Sequence, residues 1–216
     1  MATSERREAW GVRAVVWGVG LLPAALIGLR VRRDGLGANP IEALIETTGH
    51  WALILLLITL LVTPLRRLTG RNAWIKARRP LGLFAFFWAT LHWLTYLGLD
   101  QTFDWGFILE DVAKRPYITV GTAAFLLLLP LAVTSTKGWI RRLGRRWSAL
   151  HRLIYLAVPL VIVHYWWQVK ADTRWPLVAA VVYLALMGAR LWLRRRSAAR
   201  SPAPRARDGA SLAASS

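Results

Sequence analysis

ALHRLIYLAVPLVIVHYWW, residues Ala149–Trp167, sets two histidines in an apolar run long enough to cross a bilayer. An imidazole in hydrocarbon is costly unless it is paired or bound, so a histidine at that depth marks a functional site. His151 stands near the start of the run and His164 near its end, and a third histidine, His92, lies in a comparable run, FFWATLHWLTY at Phe86–Tyr96.

The rest of the chain is built in the same style. Of its 216 residues 56% are hydrophobic and 13 are tryptophan, a composition that suits a multispanning membrane protein rather than a soluble domain. Six runs reach the roughly 20 residues that a helix needs to span the hydrocarbon core. They are Trp10–Leu29, Ala43–Pro64, Pro80–Leu99, Tyr117–Thr136, Ala149–Val169 and Trp175–Leu193. The second is uneven, with Glu46 and His50 in its first turns. Pro23, Pro130 and Pro159 fall inside spans, where neighbouring groups must take up the carbonyls that proline frees. The first run ends at Arg30, Arg32 and Arg33 without a small-residue cleavage site, and is read as a retained helix. No internal repeat of fixed period is visible.

The net charge of +18 is gathered in clusters between apolar runs. That distribution indicates membrane topology and anionic lipid rather than nucleic acid. Arg66, Arg67, Arg71, Lys76, Arg78 and Arg79 separate spans two and three; Lys137, Arg141, Arg142, Arg145 and Arg146 separate four and five; Arg194–Arg196 follow span six. The other loops carry fewer, including Lys114, Arg115, Lys170 and Arg174, so the basic loops and both termini are expected in the cytoplasm. The opposite loop, Gly98–Pro116, mixes Asp100, Asp104, Glu110 and Asp111 with Phe103, Trp105 and Phe107, the pattern of a short interfacial helix or a docking surface. The expected organisation is an all-α integral membrane bundle: a cytoplasmic segment 1–9, a six-helix domain 10–193 and a disordered basic cytoplasmic tail 194–216. There is no cysteine, which excludes thiolate-held clusters and covalent C-x-x-C-H haem.

Topology converts the histidines into depths. Spans three and five both run outward, so His92 and His164 share a level in the outer half and His151 lies near the cytoplasmic surface. Two imidazoles at one level can approach a porphyrin from both faces, giving bis-histidine haem ligation suited to electron transfer. A histidine-based proton- or metal-coupled transporter without haem, or plain helix packing, remains open on spacing alone. His151 and His164 stand about 20 Å apart along an ideal helix, but 13 steps fall roughly 140° short of whole turns, so one line does not pass through both. A second haem at His151 would need a partner on span three near Arg79 and Arg78, side chains that pair with a haem propionate, a quinone carbonyl or a flavin phosphate. His50, at the outer end of span two, is expected to be interfacial and solvated.

The chain resembles the MsrQ (formerly YedZ) family of haem-binding membrane subunits, within the ferric-reductase-like transmembrane superfamily. The matching stretches are GLLP at Gly20–Pro23, GLGANP at Gly35–Pro40, TPLRR at Thr63–Arg67, RRPLGL at Arg78–Leu83, WATLHWLTY at Trp88–Tyr96, RPYITVG at Arg115–Gly121, TSTKGWIRRLGRRWSALHRLIY at Thr134–Tyr155 and HYWWQVK at His164–Lys170. The resemblance implies a bacterial inner-membrane protein with one or two haems b, taking electrons from the quinone pool. It passes them to a periplasmic molybdopterin subunit, MsrP, that reduces methionine sulfoxide in oxidised proteins, and itself has no sulfoxide-reducing site. The family's haem histidines fall on His92, His151 and His164. An FMN is also implied, without a glycine-rich phosphate loop to place it. Oxidase and ferric-reductase relatives carry two histidines on each of two helices, whereas span three here offers only His92.

Overall fold

In a computed structural model of the chain, residues 2–33, 35–169 and 171–199 are described, with side chains from Trp10 to Ser197. The expectations for residues 200–216, and for Asp34 and Lys170, lie outside the described residues. Nine α-helices occur among them: α1 Ala2–Arg33, α2 Pro40–Thr69, α3 Ala73–Leu94, α4 Trp105–Lys114, α5 Pro116–Val133, α6 Lys137–Leu143, α7 Arg145–Leu150, α8 Ile154–Gln168 and α9 Arg174–Ala199. A π-helical turn, Thr95–Asp100, extends α3, and a 3-10 turn, His151–Leu153, joins α7 to α8. Six stretches are long and apolar enough to cross a membrane, 10–33, 40–69, 73–100, 116–133, 145–168 and 174–197. They are the six spans expected from hydropathy.

Local chemistry sets the ends. Pro40 and Pro116 open α2 and α5 at a first-turn position where a missing N–H costs nothing. The Asn39 side chain accepts from Glu42 N–H at 3.2 Å, and Asp104 caps α4 by accepting from Gly106 N–H at 2.9 Å and Phe107 N–H at 3.2 Å. Gly70 closes α2 with φ 68°, a left-handed conformation that glycine adopts without a Cβ clash. Several boundaries run past the apolar segments: α1 starts at Ala2 rather than Trp10, and α2 continues to Thr69 rather than ending at Pro64. Helix α3 starts at Ala73 rather than Pro80, and α9 runs through Arg194–Arg196 to Ala199, so the disordered tail does not begin at residue 194. Hydropathy ends where charge begins, but the hydrogen-bond ladder continues while long basic side chains reach toward headgroups.

The core is gathered around α2, whose Leu55, Leu56 and Leu60 are almost wholly buried, with Ala85 of α3 and Ala157 and Val158 of α8 equally enclosed. Helices α2 and α3 form one antiparallel hairpin, and α5 and α8 form a second antiparallel pair. Trp88 of α3 ties α1 to the first by donating its indole N–H to the Gly20 carbonyl at 2.9 Å. The basic loops fall at one end of the bundle and the loop holding α4 at the other; we call these the basic and acidic ends.

Helix α9 joins the two pairs through carbonyls that prolines release. Pro64 has no N–H for the Leu60 carbonyl, which instead accepts from Arg190 Nη2 at 2.5 Å. Pro159 likewise frees the Tyr155 carbonyl, and Tyr183 donates its hydroxyl to it at 3.0 Å. Arg190 also donates to the Tyr155 hydroxyl at 2.6 Å. Both of these released acceptors are therefore satisfied from α9. Tyr183→Phe should lower stability by about 0.5–1 kcal/mol, the usual contribution of one such bond. A fall in the thermal midpoint of detergent-solubilised protein would register it, and an unchanged midpoint would refute the role.

Candidate haem site

Each helix pair delivers one imidazole to the same level near the acidic end. The ring centres of His92 and His164 are 6.1 Å apart, with their planes at 76°. His92 Nδ1 lies 2.8 Å from the Ile45 carbonyl on α2, and His164 Nδ1 lies 2.7 Å from the Tyr117 carbonyl on α5. A carbonyl only accepts, so Nδ1 carries the proton and donates in both rings. Nε2 is then the lone-pair nitrogen, and neither Nε2 has a hydrogen-bond partner among the described residues. This tautomer, fixed by a backbone acceptor behind the ring, is how proteins prepare a histidine for a metal.

Both rings line a cavity of about 410 Å³, walled by small and aliphatic side chains such as Ala52, Leu56, Ala89, Ala124 and Leu128, with Trp93 and Phe125 stacked beside it, ring centres 5.0 Å apart. Two imidazoles bonded through Nε2 to one metal at about 2 Å each have ring centres roughly 6 Å apart. The observed spacing is thus that of an axial pair, and the walls suit an apolar macrocycle. The rim is polar, with Glu42, Glu46, Asp100 and Arg115. Arg115 Nε is 3.1 Å from Asp111 Oδ1, and Tyr96 donates to Asp111 Oδ2 at 3.2 Å, tying α4 to the π-helical turn that follows His92.

The remaining candidates separate. His151 is not brought to the other two. It opens the 3-10 turn before α8 and stacks on Trp147, ring centres 4.0 Å apart. Its Nε2 is 3.1 Å from Thr134 Oγ1, whose own proton goes to the Pro130 carbonyl at 2.6 Å. The hydroxyl must then accept, so His151 is protonated at Nε2, the opposite tautomer to the pair. Arg78 is half-buried and within electrostatic reach of both His151 and Arg190, whereas Arg79 is exposed. His50 departs from expectation. It is half-buried, lines the same cavity and meets Tyr165 edge to face at 4.8 Å, because the first turns of α2 form part of the pocket wall. Hydropathy alone read that end of the span as solvated, and the only hint of a polar rim was Glu46 one turn away.

The profile of the family described as "Ferric reductase like transmembrane component" matches residues 48–163. Among curated relatives, the "Protein-methionine-sulfoxide reductase heme-binding subunit MsrQ" of Xanthomonas axonopodis pv. citri is 48% identical over 201 residues, covering 89% of this chain and 92% of the relative. The protein of the same description from Xanthomonas campestris pv. campestris is 50% identical over 193 residues, with 85% and 88% covered. That from Caulobacter vibrioides is 48% identical over 191 residues, with 88% and 91% covered.

The geometry separates the histidines by experiment. Replacing either His92 or His164 with alanine should abolish a low-spin six-coordinate haem spectrum, because one axial nitrogen is then missing. His151→Ala should leave that spectrum in place. Reduced-minus-oxidised spectra of the three purified variants check this, and loss of the low-spin signal in His151→Ala alone would overturn the assignment.

Proposed function

We propose, from the premise that the chain belongs to the ferric-reductase-like transmembrane family and, within it, to the MsrQ subunits, that it is a haem b electron-transfer subunit of a methionine sulfoxide reductase. The observation that carries this is the His92–His164 pair, 6.1 Å apart with both Nε2 atoms unengaged. Haem b bound there would supply a one-electron iron couple with both axial positions filled, suited to passing electrons rather than binding oxygen. The chain's own residues hold the group, exclude water from it and set its level in the membrane. A proton relay would need titratable partners in a hydrogen-bonded chain, and each ring is bonded instead to a backbone carbonyl.

Direction follows from charge. By the positive-inside rule the basic end is cytoplasmic, which puts both termini inside a bacterial inner membrane and the candidate haem site toward the periplasm. Electrons enter from the quinone pool and leave to MsrP, the periplasmic molybdopterin subunit, at the acidic end. Arg78, at the basic end, is the group placed to receive a donor's carbonyl or phosphate oxygens, and His151 Nδ1 is left to accept from a hydroxyl. For FMN the described residues offer no phosphate-cradling glycine loop. The acidic end presents Asp100 and Glu110 outward. Asp104 and Asp111 are committed within the fold as a helix cap and as the partner of Arg115 and Tyr96.

The test is a haem-to-protein ratio on the purified chain, with reduction by an added quinol followed in the Soret band. A bis-histidine b-type spectrum reduced by quinol is expected, and protein that holds no haem would sink the reading. Glu110→Gln, away from the cavity rim, should slow oxidation of the reduced protein by its periplasmic partner and leave the haem spectrum unchanged. Docking at this face is wrong if electron transfer keeps its rate.

A further inference from the structure

The clamp on each histidine occurs twice with one spacing. Ile45, Gly49 and His92 make the first set, and Tyr117, Gly121 and His164 the second, each member 72 positions after its counterpart. In both sets the carbonyl that accepts from Nδ1 belongs to the residue four before the glycine on the facing helix. In both the glycine lies directly against the imidazole. A Cβ at position 49 would stand 2.9 Å from His92 Nδ1, and one at position 121 would stand 2.6 Å from His164 Nδ1 and 2.9 Å from its Cε1.

The coincidence has a geometric cause. A helix carbonyl already accepts from the N–H four residues on, so a side chain that shares it must approach from the flank of that turn. The Cα–Cβ bond of the later residue tilts back toward the helix N-terminus and occupies the same flank. Only glycine leaves it clear. Neither glycine has a positive φ, so backbone freedom is not what places them.

We infer that Gly49 and Gly121 are paired positioning residues: by admitting each imidazole to its carbonyl they set the distance and tautomer of the two axial nitrogens. The inference rests on the haem reading above. Both glycines line the cavity, and each acts on an axial nitrogen through the histidine it seats. Since the atoms a methyl group would meet there are those of the imidazole itself, it must push the ring along the cavity or break the hydrogen bond from Nδ1–H to the carbonyl. Either change alters the axial pair, and the matching construction implies matching sensitivity on the two sides. Gly82 provides the control, because it lies within α3 and its Cβ would meet only Thr59 Cγ2 at an ordinary 3.7 Å.

The experiment compares full-length wild type, Gly49→Ala, Gly121→Ala and Gly82→Ala in detergent by haem-to-protein ratio, midpoint potential and the low-temperature resonance of the ferric form. Imidazole planes near perpendicular give a strongly anisotropic low-spin signal, so its largest g value reports ring orientation directly. The two seat variants are expected to retain haem about 10-fold less well or more, as when a ligand's supporting partner is lost. The haem they keep should show a shifted potential and g value, while Gly82→Ala matches wild type. If a seat variant fails to accumulate, His164→Gly with Gly121→Ala is supplied with free imidazole, which is untethered and can slide clear of the methyl. Rescue of the low-spin spectrum supports a steric seat, and failure there, with His164→Gly alone rescued, overturns it. Wild-type haem content, potential and g value in both seat variants also overturn the inference. Wild type without haem would instead remove the reading beneath it.

Discussion

An imidazole held in a membrane interior must give its N–H to something, and in this bundle His92 and His164 each give it to a backbone carbonyl already used by its own helix. The construction of the site follows from that choice of acceptor. Each histidine shares a carbonyl on the antiparallel neighbour, which fixes Nδ1–H as donor and leaves Nε2 free. The facing helix must be stripped of a side chain one turn on. A glycine inside a helix costs about 0.5–1 kcal/mol relative to alanine, so two glycines at equivalent places are explained by the rings they admit.

The same economy of acceptors and donors governs the other end. Prolines 64 and 159 take N–H groups out of α2 and α8, and α9 returns a donor to each orphaned carbonyl through Arg190 and Tyr183. Arg190 is buried, and its Nε has no partner. Its placement is dictated by two acceptors rather than by a carboxylate. The bundle is therefore pinned through released carbonyls near the basic end and left open as a cavity near the acidic end. A rigid base with an open pocket is the division of labour that a bound redox group requires.

How much of this was legible in the sequence depends on whether the signal lived in side chains. The six spans and the shared level of His92 and His164 did, because hydropathy fixes where helices cross and rise per residue fixes depth. The repeat did not. Its acceptors are the backbone carbonyls of Ile45 and Tyr117, residues whose side chains have nothing in common, and its spacing joins atoms 47 residues apart in each half. Gly49 and Gly121 were visible as letters but carried no meaning until the rings stood against them. His50 lines the pocket rather than facing solvent, and a pocket wall at the end of a span has no trace in hydropathy. The ends of α3 and α9 ran past their apolar segments because a helix ladder, once formed, extends through residues that solvent and headgroups can accommodate.

The two histidines on span five differ in kind, and the difference bears on how electrons enter. His164 presents Nε2 as a lone pair, whereas His151 spends Nε2–H on the Thr134 hydroxyl, which has no proton left to give because it donates to the Pro130 carbonyl. The 13 residues between the two rings already turn them away from one line on an ideal helix, and the chain departs from that helix at a 3-10 turn that begins at His151. The charged group that acts on His151 is the guanidinium of Arg78, a fixed cation and a donor, not a second imidazole. A ligand that suits that guanidinium must bring acceptor oxygens, whereas the ring atom that His151 leaves free, Nδ1, is itself an acceptor. On the proposed reading the basic end would therefore take a group that carries both oxygen acceptors and a hydroxyl donor, and the acidic end a metal held by two nitrogen lone pairs.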